Sequence, residues 1–251
     1  MGSTVCQAVH ADPDLALVAA VDQSYAGIDL RTVTGVDAEI KMSRSPTAFE
    51  RTATEVVVDF SERGAAVENL AWCAANGVHA VVGTTGFSAD DIERCRREFS
   101  RSNCVIAPNF AIGAVLMMHF AAIAAPYFDS AEIIELHHEH KLDAPSGTAV
   151  HTAQLMAEAS KDWTEDPTTS EVVAGARGGV GPADIHIHSV RLRGLVAHQE
   201  VLLGTTGQTL SLRHDSIDRT SFMPGVLLAV KRVGERPGVT VGLDALLDLG
   251  D

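Results

Sequence analysis

Basic residues are scarce in this chain. There are 19 Lys and Arg against 33 Asp and Glu, a formal net charge of −14. So acidic a surface repels phosphodiester backbones and anionic lipid headgroups, which argues against nucleic acid and membranes as partners. No run approaches the ~18 consecutive apolar residues of a membrane span. The opening M-G-S-T-V-C-Q-A-V reads as a short amphipathic helix rather than a signal peptide. Cysteine is sparse too: Cys6, Cys73, Cys95 and Cys104 all fall in the first half, with no C-x-x-C or metal-ligand spacing. Reduced, structural thiols in a cytoplasmic protein are the expectation. Internal repeats and low-complexity tracts are lacking as well.

What is present is core-forming material: 251 residues, 46% of them hydrophobic, enough for one large or two modest domains. Nearly continuous apolar runs occur at 15–22, 55–59, 78–84 and 104–108, as suits strands buried on both faces of a parallel sheet. Helical patterns lie between or beside them at 2–11, 63–76 and 89–101. Alternation of this kind predicts an α/β, Rossmann-like, doubly wound sheet. The polar stretch 23–53 gives no clear pattern. From residue 111 the order changes. A long apolar helix (112–125), a strand (131–138), a helix (146–160), a Gly-, Pro- and Thr-rich loop expected to be mobile (161–184) and three strand-like runs (185–193, 195–203, 208–214) predict a second α+β domain with a mixed or antiparallel sheet. Residues 219–235 again read as helix, and 239–249 as a short apolar tail. The boundaries expected are 1–110 with 219–251 for the first domain and 111–218 for the second.

In doubly wound sheets ligands lie beyond the carboxyl ends of the strands. Four such ends carry polar or small residues: Asp22, Asp59-Phe60-Ser61, Gly83-Thr84-Thr85-Gly86 and Ala107-Pro108-Asn109-Phe110. An acid can hydrogen-bond ribose hydroxyls, glycine admits close backbone approach, and threonine offers a hydroxyl. Any one of these alone reads more simply as a solvated strand end; four in series point to a nucleotide.

The most distinctive segment is 135–149, E-L-H-H-E-H-K-L-D-A-P-S-G-T-A, which packs three histidines and a lysine into 137–141 before restarting at Ser146-Gly147-Thr148. It reads as a strand running into a cationic loop and then a helix N-terminus. Exposed N–H groups and the positive end of the helix dipole favour an anion there. Adjacent strand residues point to opposite faces, so His137 and His138 can share a target only where the strand ends. The residues alone leave other readings open. One is a zinc site using His137, His138, His140 and His151, although H-H-x-H on a strand is not a structural zinc spacing. Another is a plain exposed basic turn. Ser146 also has the simple reading of a helix N-cap, and His186 and His188, sharing a strand face, that of surface or interface residues.

This segment, with V-V-G-T-T-G at 81–86, A-P-N-F at 107–110 and D-R-T-S-F at 218–222, resembles the dihydrodipicolinate (4-hydroxy-tetrahydrodipicolinate) reductase family, in wording closest to its actinobacterial branch. The resemblance covers nearly the whole chain. It implies an NADPH- or NADH-dependent oxidoreductase of lysine and diaminopimelate biosynthesis that reduces a small cyclic dicarboxylate. It implies a homotetramer formed through the sheet of the second domain. By residue, it implies Lys141 as proton donor and His137 as a second catalytic residue. His138, Ser146, Gly147, Thr148 and Arg219 would bind substrate. Met1, Gly2, Asp22, Gly83, Thr84, Thr85, Ala107, Pro108, Asn109 and Phe110 would bind cofactor, and no metal is implied. The family opens with a strand and a G-x-x-G-x-x-G turn, of which Met1-Gly2 match only the last two positions. The expectation is therefore a chain that, starting at Met1, binds NADPH weakly and folds poorly in its first domain. Two further functional readings stay open beside the reductase: a metal-dependent hydrolase using the histidines, and a non-catalytic anion-binding remnant.

Overall fold

Along the chain, the computed structural model shows α1 (Gly2–Ala11), α2 (Leu30–Thr34), α3 (Thr47–Arg51), β1 (Val56–Asp59), α4 (Arg63–Asn76), β2 (His79–Val82), α5 (Ala89–Glu98), β3 (Cys104–Ile106) and α6 (Ile112–Ala124). There follow β4 (Ser130–His137), α7 (Gly147–Ala159), β5 (Gly179–Val180), β6 (His186–Arg191), β7 (Ala197–Thr205), β8 (Gln208–Ser216), α8 (Met223–Arg232) and β9 (Val239–Val241). The structure describes residues 1–249. They form two units, one of Met1–Ala111 with the chain from Phe222 onward, the other of Ile112–Ser221.

The first unit is built on a four-stranded sheet of order β1-β2-β3-β9, parallel throughout. Val57, Leu70, Cys73, Ala80, Val82, Cys95, Phe99, Cys104 and Ile106 bury one core beneath it. The buried thiols sit in that core, and burial pushes Cys73 up to about 12, so the group stays protonated and inert. Local sequence explains the helix ends. Helix α4 stops at Gly77, which takes a left-handed conformation. Helix α5 starts from a capping box between Ser88 and Asp91. The Asp91 carboxylate also accepts two hydrogen bonds from Arg63, at the start of α4.

One expected strand of the parallel sheet is not formed. Residues 15–22 join no ladder; Val21 makes one isolated parallel bridge to Ser43. The reason is the neighbour on the other side. Between 14–22 and the outer edge of β1 lies a cavity of about 640 Å³, lined by both segments and by the first turns of α1. A strand is stabilised by partners along its edges; here Ser43 is hydrogen-bonded to Ala20 and Asp22, and the segment otherwise faces the slot. The slot also separates the main core from a small second cluster of Ala20, Leu30, Val36 and Met42. The unreadable 23–53 stretch holds the short helices α2 and α3 and the bridge Asp29–Lys41. The tail expected after 239 contributes β9, hydrogen-bonded beside β3.

The second unit carries a five-stranded mixed sheet, order β5-β6-β4-β7-β8, with β4 and β6 parallel and the other pairs antiparallel. Helices α6 and α7 pack on each other, α6 against β8 and α7 against β4. Strand alternation sends Ile133 of β4 and Val201 and Leu203 of β7 into the core. It also sends Glu135 there, with no exposure at all. Segment 161–184, expected as a mobile loop, is tied down: Arg177 pairs with both Glu132 and Asp166, and Glu171 accepts the backbone N–H groups of Gly175 and Arg177. His186, expected at the surface, is buried and sits against Asp166 and the Arg177 carbonyl, because its strand face is covered by this loop.

Candidate active site

Strand β4 ends at His137, and the next residues turn back on themselves, with the Lys141 N–H donating to the His138 carbonyl. His138 lies outside the strand, so it escapes the alternation that would have turned it from His137. Its ring is 6.4 Å from that of His140, which is exposed. The Lys141 ammonium donates to both carboxylate oxygens of Asp143, at 2.8 and 2.9 Å. That bond holds the Asp143 carboxyl below its ordinary range. The lysine side chain is largely covered while Asp143 is 63% exposed, so the cation has one mobile anionic partner at the surface.

Ser146 caps α7, its hydroxyl accepting the Ala149 N–H at 3.2 Å, as the plain reading foresaw. The hydroxyl is buried in that role, but the helix end beyond it is open: a Cβ added at Gly147 would meet nothing within 4 Å. Thr148, half-buried, accepts the Thr152 hydroxyl at its carbonyl. The open first turn is where an anion meets the helix dipole.

Two residues that sequence reasoning missed hold these parts together. Glu135 Oε2 lies 2.5 Å from His137 Nδ1, and its Oε1 accepts the Ser146 N–H at 3.2 Å. Arg191, at the end of β6, clasps both oxygens of Glu135 at 2.9 and 2.8 Å and donates to the Asp143 carbonyl at 2.8 Å. The signal for Glu135 was available, since it shares a strand face with His137 and that face is the buried one. Arg191 lies 56 residues from Glu135, and only the β4–β6 pairing brings them together. Arg219 is exposed on a short 3-10 turn. Among the described residues no hydrogen bond joins it to 137–148. Nor do three or more His, Cys, Asp or Glu side chains gather, among the described residues, where a metal ion could be held.

In the first unit, Gly2, Ser3, Asp22 and Asp59-Phe60-Ser61 line the slot beside β1. Met1 makes no side-chain cap on α1, so the N–H groups of that helix end have no side chain on them. Asp22 Oδ1 accepts the N–H groups of Ser24 and Tyr25. Thr84 is buried, and its hydroxyl lies within donating distance of Asp59 Oδ1 and the Ser61 carbonyl. Gly83 is glycine for packing: a Cβ there would lie 2.0 Å from the Phe60 ring. Phe110 is buried against that same ring, with centroids 5.7 Å apart, and can face a ligand only through its backbone. Ala107 is buried; Thr85 and Pro108 are exposed, and Asn109 accepts the Ala111 N–H.

Residues 1–110 match the sequence profile described as dihydrodipicolinate reductase, N-terminus, and residues 113–247 that of dihydrodipicolinate reductase, C-terminus. The chain belongs to the dihydrodipicolinate reductase family. A 4-hydroxy-tetrahydrodipicolinate reductase from Mycobacterium ulcerans is 52% identical over 99% of this chain and 95% of its own. One from Mycolicibacterium vanbaalenii is 55% identical over 89% and 91%. A dipicolinate-bound dihydrodipicolinate reductase from Paenisporosarcina sp. TG-14 superposes with a TM-score of 0.85 at 40% identity, covering 98% of this chain and 95% of that one. The family comprises NAD(P)H-dependent oxidoreductases, with the dinucleotide on the N-terminal part. The α1 N-terminus suits a phosphate and the Asp22 carboxylate a ribose hydroxyl, and both line one cavity, so the residues present fit such a cofactor.

Proposed function

We propose that this chain reduces 4-hydroxy-tetrahydrodipicolinate to tetrahydrodipicolinate at the expense of NADPH or NADH, in the biosynthesis of diaminopimelate and lysine. The observation that carries the reading is the arrangement at the end of β4, where a lysine, a histidine and an open helix N-terminus are tied into one network. A dicarboxylate needs cationic and N–H donors for its anionic groups, and reduction of a double bond conjugated with an imine needs a proton as well as a hydride. This network offers both.

In the proposed reaction the substrate loses its hydroxyl as water, which leaves a C=C bond conjugated with the ring imine; a hydride and a proton then saturate that conjugated C=C, and the product keeps its C=N bond. The nicotinamide supplies the hydride when bound. The α1 N-terminus and Asp22 would hold the dinucleotide, with the backbone of 83–85 and 107–110 lining its nicotinamide end. On the second unit, His138, Ser146, Gly147, Thr148 and Arg219 would hold the carboxylates. Lys141 would exchange Asp143 for the substrate and release the proton as hydride arrives. Assembly as a homotetramer through the second unit's sheet belongs to the same proposal, supported by the partly exposed Ile134, Leu136, Val190 and Leu202. Light scattering of the purified protein tests it.

The functional test is loss of nicotinamide absorbance when 4-hydroxy-tetrahydrodipicolinate is added to enzyme and NADPH. Oxidation that requires this substrate supports the reading. Tight binding of pyridine-2,6-dicarboxylate with no oxidation of NADPH or NADH would support the non-catalytic remnant instead.

A further inference from the structure

The proposed chemistry uses the surface of the site and leaves its centre unexplained. At that centre is one carboxylate with no exposure, Glu135, in a strand whose other inward residues are apolar or the site histidine. Buried carboxylates are stabilised only when fully paired. Glu135 accepts from Arg191 on both oxygens, from Ser146 N–H on one, and faces His137 Nδ1 with the other. An ionised carboxylate can only accept, so the His137 Nδ1 must carry the proton, which leaves Nε2 as the nitrogen turned away from the carboxylate. Arg191 reaches on to the Asp143 carbonyl, and Asp143 holds Lys141. Three separate parts of the site thus meet at a single side chain: the histidine at the end of β4, the turn carrying the lysine, and the capped end of α7.

The geometry points to Glu135 as the positioning residue of this site. Its carboxylate sets the tautomer and orientation of His137 and, with Arg191, pins the 143–146 turn, so that histidine, lysine and helix N-terminus address the same anion. Glu135 touches no substrate in this scheme; it acts through the groups it holds. The inference rests on the reductase reading and deepens it.

The test separates positioning from mere stability. Glu135→Gln keeps the shape but has only one acceptor oxygen, and leaves Arg191 without its counter-charge. It should weaken binding of pyridine-2,6-dicarboxylate roughly ten- to hundredfold in calorimetry and lower the thermal midpoint. The double variant Glu135→Gln/Arg191→Met removes the uncompensated charge, and replacing a buried pair with an apolar residue commonly restores stability. Under the inference its thermal midpoint recovers while affinity does not. Affinity that recovers with the midpoint would reduce Glu135 to a structural role and overturn the proposal, as would unchanged affinity in the single variant. The wild-type protein supplies a readout that needs no variant. Nitrogen-15 spectra of labelled histidine should show His137 protonated at Nδ1, and an Nε2–H neutral ring would overturn the assignment. A wild type that binds the dicarboxylate but turns over no substrate would count against the reductase reading alone, since these readouts do not depend on turnover.

Discussion

At Lys141 the ammonium is clasped by the Asp143 carboxylate, which is itself mostly in water. With one partner mostly in water the pair is only partly shielded, and in the proposed mechanism a substrate carboxylate displaces Asp143 and the lysine donates its proton. Lys141→Ala should lower kcat by roughly 10²- to 10⁴-fold, the range for loss of a general acid. NADPH affinity should barely change, because the residues proposed to hold the dinucleotide all lie in the other unit. A variant with near-normal turnover would remove Lys141 from the mechanism. At Thr148, next to the open end of α7, Thr148→Val keeps the shape and deletes the hydroxyl. Affinity for pyridine-2,6-dicarboxylate should fall by about 1–3 kcal/mol, as for a hydrogen bond to a charged group. Equal affinity in wild type and variant would place the carboxylates elsewhere.

At the scale of elements, β4, β6 and the N-terminus of α7 are joined through Glu135. Burial by itself would raise the Glu135 carboxyl. Hydrogen bonds from His137, Arg191 and Ser189 outweigh it and bring the group from 4.5 down to about 2. The sign of the pH effect follows from that depression. Above pH 4.5 the carboxyl is ionised whether folded or unfolded, and the native state keeps its full advantage. As pH falls from 4.5 towards 2 the unfolded chain takes up the proton first, and stability is lost. The second unit should therefore lose stability across this acid window in denaturant titrations. The Glu135→Gln variant, with no carboxyl to titrate there, should lose less. Parallel curves for the two proteins would show that the Glu135 bonds do not form as described.

At the scale of the molecule the slot in the first unit is the dominant feature. One face of β1 and the whole of 15–21 present strand edges to a cavity of about 640 Å³. Unpaired buried backbone groups cost about 1–3 kcal/mol each, against a domain stability of about 5–15 kcal/mol. Extending the protein ahead of Met1 with an apolar strand and a G-x-x-G-x-x-G turn should fill the slot and pair both edges. The turn would also add N–H groups for a pyrophosphate at the start of α1. The extended protein should unfold at a higher temperature, by roughly several degrees for each few kcal/mol gained, and should bind NADPH more tightly. Thermal unfolding and NADPH titration of the two proteins side by side give the answer. Equal stability and affinity would mean that water fills the slot without penalty.

Local sequence by itself determined the longer helices and most strands, but not the short α2 and α3. Capping residues such as Ser88 and Ser146, the left-handed Gly77 and the periodic apolar runs act within a few residues of one another, so α1, α4, α5, α7 and strands β4, β6, β7 and β8 were legible with their order, while the two-residue β5 fell within a stretch read as loop. The H-H-x-H-K and S-G-T cluster was legible for the same reason: it is contiguous, and its chemistry is peculiar to anions. Only the tertiary structure decided what depends on partners distant in the chain. Residues 15–22 have the composition of a buried strand, yet a strand exists only where its edges are paired. Thr84 carries a hydroxyl whose partners, Asp59 and Ser61, lie more than twenty residues away and are brought to it only by the fold. Glu135 and Arg191, 56 residues apart, meet because β4 and β6 run side by side, and a contact of that separation leaves no periodicity in the sequence to betray it.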